Sequence, residues 1–104
     1  MNLKSQPLFK SVPLTDPFEQ LKLQYLVTFD AKYASIKKAL HDENHAALLF
    51  VVHQLAGSAG SYGFDDISAC CLTLEKQLQQ SETFDKQTID TGQQLLSLIT
   101  QAKA

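Results

Sequence analysis

The chain has 104 residues, enough for one compact domain and too few for two. Its basic residues are all lysine, nine against eleven acidic residues for a net charge of -2. Without arginine or any basic concentration beyond Lys37-Lys38, it lacks the electrostatic footprint of a nucleic-acid binder or of a protein held on an anionic membrane. Residues 1 to 15, with Pro7 and Pro13 among Leu8, Phe9, Val12 and Leu14, read as an arm with a short helical turn that packs on the body. The body, 16 to 104, begins with a marked helix start: Asp16 at the N-cap, Pro17 at the first helical position and Glu19 placed for a capping box. Phe18, Leu21, Tyr25, Phe29, Tyr33, Ile36 and Leu40 recur at three- and four-residue steps and predict one helix over about 17 to 41.

Asn44 is placed to cap a second helix running to about Gly60, with Leu48, Val51, Val52, Leu55 and Ala59 inward. After Gly60-Ser61-Tyr62-Gly63-Phe64, Asp65 or Asp66 is expected to cap a third helix whose stripe is Ile67, Cys70, Cys71, Leu74 and Leu78. Asp85 caps a fourth, with Ile89, Gly92, Leu95, Leu96, Ile99 and Ala102 inward. Four helical patterns on short connections predict an all-α, antiparallel up-down-up-down four-helix bundle with a short N-terminal helical arm. Residues 44 to 64 carry no Asp, Glu, Lys or Arg, yet two histidines, Gln54, two serines and three glycines make them too polar for a membrane span. Adjacent Cys70 and Cys71 suit neither a disulfide framework nor a zinc site and read as packing residues in a reducing compartment. With no signal-peptide pattern at the N-terminus, the expected location is the cytoplasm.

His53 stands out on the second helix. At 100° per residue it projects opposite the apolar stripe, together with Ala46, Leu49, Phe50, Ala56, Gly57 and Gly60. Small and apolar residues surround it where a solvent face would carry Lys, Glu and Gln, the composition of a docking surface. Gly57, costly inside a helix, lies one turn beyond the imidazole and clears an approach for another protein's active-site rim. No carboxylate lies on the same helix face within one turn, and an imidazole in water is largely the neutral nucleophile at physiological pH. No hydrolytic triad, metal triad or nucleotide loop accompanies it, so the histidine alone is no complete active site.

The segment His53-Gln54-Leu55-Ala56-Gly57-Ser58-Ala59-Gly60-Ser61-Tyr62-Gly63-Phe64, followed by Ile67, Cys70, Leu74 and Glu75, resembles the signature helix pair of the histidine-containing phosphotransfer (HPt) domain of bacterial two-component phosphorelays. The resemblance implies that His53 accepts a phosphoryl group from a receiver-domain aspartyl phosphate and passes it to another receiver. It implies a phosphocarrier without a nucleotide site of its own, either standing alone or as the terminal domain of a hybrid sensor kinase. The partners implied are receiver domains of response regulators or hybrid kinases. No cofactor is expected on this chain, Mg2+ is expected on the receiver, and a monomer is expected. Many family members carry Lys three residues after the histidine; here Ala56 stands there, so charge stabilisation from that side is missing. Ser58 and Gly63 match supporting positions of the motif, Ser58 with a packing role.

The alternative function is an adaptor that binds a receiver through the same face without transfer. His41 and His45 are spaced for a shared metal, but two ligands are too few and no metal site is predicted; they read as a solvated helix junction. Glu75 and Gln79 flank the third helix's stripe and could face the His53 groove, but the reading favoured for them is an exposed polar edge.

Overall fold

The computed structural model describes residues 16–103, which form helices α1 (Pro17–Val27), α2 (Phe29–His41), α3 (His45–Ser61), α4 (Asp65–Gln80) and α5 (Lys86–Lys103). The expected N-terminal arm, residues 1–15, lies outside the described residues. Each of α2 to α5 packs on two of the others in a closed ring, α2 on α3, α3 on α4, α4 on α5 and α5 on α2. This is the predicted four-helix bundle, and the described residues contain no strand. Phe29, Ile36, Leu48, Val52, Leu55, Cys71, Leu74, Leu78, Leu95 and Ile99 fill its centre.

The first predicted helix is two. Thr28 turns its hydroxyl back onto the Tyr25 carbonyl at 2.7 Å and sends its own N–H to the same oxygen at 3.0 Å. That competition for one carbonyl tightens the turn and separates α1 from α2. α1 buries no residue, so Phe18 and Leu21, expected in the core stripe, are exposed. The helix lies beyond the end of the bundle, held by aromatic contacts. Tyr62 stacks on Tyr25 with centroids 4.2 Å apart and on Phe18 at 6.3 Å, while Phe64 meets Tyr25 and Phe29. The α5 C-terminus is tied to the start of α2 by the Lys103–Asp30 ion pair.

Two tight turns set the register of α3. At its start, the N–H groups of Glu43 and Asn44 return to the carbonyls of Leu40 and Ala39, the double bond of a Schellman turn. Asn44 then accepts the Ala47 N–H on its side chain at 3.1 Å and so opens α3 as it closes α2. Glu43 occupies the left-handed position of that turn with φ 50°. At the end of α3 the same pattern recurs with Gly63 at φ 85°, the N–H of Phe64 reaching Ala59 O at 2.9 Å. This turn fixes Phe64, not Asp65 or Asp66, at the cap of α4; the two acids fall instead in the helix's first turn, near the positive end of its dipole.

Asp85 caps α5 as expected, accepting the Thr88 N–H at 2.9 Å. That backbone hydrogen bond is the main cause of the fall of its carboxyl below the usual range. Thr88 takes the inward position there and Ile89 is exposed, because the buried register of α5 runs through 88, 92, 95, 96 and 99. Cys70 and Cys71 are free and buried. Burial pushes the Cys71 thiol up to about 12, so both residues act as packing groups. No helix of the described residues is long and apolar enough to cross a membrane.

Candidate functional site

α3 carries His53 midway along its length, on the arc that neither α2 nor α4 covers, and its side chain is 74% exposed. Its Nδ1 lies 2.5 Å from Oε2 of Glu75 on α4. A carboxylate has no hydrogen to give, so Nδ1 carries the proton and donates it, which leaves the lone pair on Nε2. Glu75 is itself only 13% exposed, held on the flank of a helix whose Cys71, Leu74 and Leu78 are buried in the core.

This corrects the reading of Glu75 as part of an exposed polar edge. On α3 alone His53 has no acidic neighbour; the antiparallel register of α4 supplies one from 22 residues away. The pair lines a hollow of about 420 Å³ with Ala46, Leu49, Phe50 and Gln79. Among the described residues, Glu75 is the only carboxylate that lines it and no lysine does. Phe50 stands 65% exposed at the rim, and Leu49 is half-buried.

Two residues expected on the open face are turned away from it. Ala56 is only 8% exposed and its carbonyl accepts from Ser68 Oγ at 2.8 Å. A Cβ on Gly60 would stand 3.2 Å from the same Ser68 Oγ. A bundle helix touches two neighbours, so its buried arc is wider than the apolar stripe, and α4 covers both positions. Gly57 remains on the open side: a Cβ there would meet nothing within 4 Å. Ser58 bonds the Tyr25 hydroxyl at 2.5 Å and the Gln54 carbonyl at 3.1 Å, a structural role away from the imidazole.

Leu72, missed in the sequence, adds an exposed apolar side chain on α4, three residues before Glu75 and so on the same side of that helix. Its signal was a leucine off the stripe of Ile67, Cys71, Leu74 and Leu78. His45 is no solvated junction residue. Its Nε2 sits 2.5 Å from Leu78 O and its ring meets the edge of Phe84, committing that nitrogen to the end of α4. Among the described residues no group of three metal-ligating side chains occurs.

A family model described as the Hpt domain matches residues 20–104, which take in α2 to α5 whole and most of α1. Neither the curated proteins nor the solved structures offer a match to the chain.

Proposed function

Since the chain belongs to the Hpt domain family, whose members are phosphocarriers of phosphorelay signalling and meet receiver domains, we propose that His53 is its phosphorylated residue. In this reading it takes a phosphoryl group from a receiver's aspartyl phosphate and hands it to another receiver. The observation that carries the reading is the exposed imidazole whose Nδ1 is held by Glu75. The Nε2 lone pair attacks phosphorus in line with the aspartyl oxygen. The N–P bond forms as the P–O bond breaks, and its electron pair returns to the receiver's carboxylate. The Nδ1 proton stays on the ring, where the Glu75 carboxylate offsets the positive charge that the imidazole gains. Transfer to a second receiver is the same step reversed.

Among the described residues the lining of the hollow offers no lysine for the moving phosphoryl group, and Ala56 is covered by α4. Neutralising that group falls to the receiver and its Mg2+, while this chain contributes position and the correct tautomer. Ala46, Leu49, Phe50 and Gly57 form the seat around the nucleophile, with Gly57 leaving the approach clear.

The test is transfer from a panel of phosphorylated receiver domains to this chain, with His53→Gln alongside and the labelled residue mapped. Labelling confined to His53 is the expected result. A receiver that binds the chain but never labels it would replace this reading with that of a non-transferring adaptor.

A further inference from the structure

A hollow of about 410 Å³ opens at the end of the bundle that α1 occupies, between the first turn of α4 and the last turns of α5. Phe64, Ile67, Leu98 and Ala102 give it an apolar floor, and Asp65 and Asp66 stand exposed at its edge. Among the described residues no lysine forms an ion pair with either carboxylate. The hollow shares no residue with the one at His53, which draws Glu75 and Gln79 from the other half of α4. α1 lies against its wall: Lys22 Nζ is 5.3 Å from the centre of the Phe64 ring, and a Cβ on Gly63 would stand 3.9 Å from the same nitrogen.

We propose that this hollow is the seat of the chain's own residues 1–15, with Phe9 on the apolar floor and Lys10 paired with Asp66. Charge and reach support that occupant. Residues 1–15 hold Lys4 and Lys10 and no acid, so all eleven acidic residues lie in the body. Asp66 also lines the next hollow along the seam of α4 and α5, which makes it the acid turned toward α5. Asp16 stands six residues before Lys22, about 9 Å along the helix axis at 1.5 Å per residue. The seven residues from Phe9 to Asp16 span up to about 23 Å when extended, so the segment reaches the hollow with length to spare. An exposed ion pair adds little to affinity; Phe9 therefore anchors the segment and Lys10 sets its direction. Seated in this way, the segment gives apolar cover to α1, a helix that buries no residue of its own.

The test is made on the full chain by NMR, observing the Phe9 ring protons and the methyl groups of Ile67 and Leu98. Nuclear Overhauser contacts between the ring and those methyls are expected, and their absence overturns the proposal. A mixture of ring-labelled and methyl-labelled molecules distinguishes the source of the segment. Contacts between differently labelled molecules would assign it to a second copy and overturn a seat within one chain. Phe9→Ala is expected to lower Tm by about 4–8 °C, and an unchanged Tm would remove Phe9 as the anchor. Lys10→Glu is expected to lower Tm by a smaller amount that fades at high salt. Asp66→Lys should then cost less Tm in the Lys10→Glu background than in the wild type, the sign of a direct pair. Equal costs in the two backgrounds overturn the pairing.

Discussion

Glu75 holds Nδ1 of His53 from the neighbouring helix at 2.5 Å, so which ring nitrogen of His53 carries the hydrogen is decided by a residue on α4. In Glu75→Ala that acceptor is gone, and the tautomer with hydrogen on Nε2, which has no lone pair to offer phosphorus, gains population. Transfer from a receiver is expected to slow about tenfold, the usual scale for losing a partner that orients a histidine. Glu75→Gln keeps an oxygen that accepts from Nδ1 and should retain most of the rate. Ring-nitrogen chemical shifts of His53 report the tautomer directly. Wild-type shifts and rate in the alanine variant would remove Glu75 from the site.

Gly57 and Gly92 should respond in opposite directions to the same added methyl. At Gly57 a Cβ meets nothing within 4 Å, so Gly57→Ala should raise stability by about 1 kcal/mol, seen as a higher Tm, while slowing transfer by crowding the receiver's approach. At Gly92 it would stand 2.7 and 2.9 Å from the two terminal carbons of Leu40 and 3.3 Å from the branch carbon. Gly92→Ala must displace Leu40 and should lower Tm, since overpacking costs about 1–3 kcal/mol. Thermal melts of the two variants side by side settle the contrast.

Glu43 sits at φ 50° in the turn that starts α3, a conformation that costs a side-chain-bearing residue about 1 kcal/mol and glycine almost nothing. Glu43→Gly should therefore stabilise the bundle, raising Tm by roughly 4–8 °C, with transfer unaffected because the backbone path is unchanged. A lower Tm would show that the glutamate's own contacts outweigh the strain.

The Cys71 thiol, raised by burial from 9.0 to about 12, makes stability depend on alkaline pH. The unfolded thiol ionises first, so its contribution is complete below pH 9 and is lost as pH climbs towards about 12. Denaturant midpoints should fall across that window, and Cys71→Ala should flatten the fall while lowering stability at neutral pH through the cavity it leaves. At neutral pH, alkylation of Cys71 should proceed only as fast as the bundle opens. Rapid alkylation of the folded chain would contradict the burial.

The helices and most of their inward faces were legible because each stripe is a local, repeating pattern: Leu48, Val51, Val52, Leu55 and Ala59 on α3 and Ile67, Cys70, Cys71, Leu74 and Leu78 on α4 are all buried. His53 was legible for the same reason, since exposure opposite a stripe follows from one helix alone. Glu75 was not, because its contact with His53 depends on the register between two helices, which no single wheel contains. Ala56 and Gly60 failed for a related reason: a wheel shows one stripe but not the second neighbour that covers its flank. The break at Thr28 turned on a hydroxyl choosing a carbonyl one turn back, a preference too weak to read against a continuous apolar pattern.

The aromatic stack that holds α1 has an optical consequence. The chain contains no tryptophan and three tyrosines, and two of these, Tyr25 and Tyr62, lie face to face in that stack. Near-ultraviolet absorption and tyrosine emission therefore report chiefly on the junction between α1 and the turn after α3, at the opposite end of that helix from Ala46 and Leu49. An experimenter following those signals reads how α1 is seated against that turn, and sees little of what happens at the imidazole.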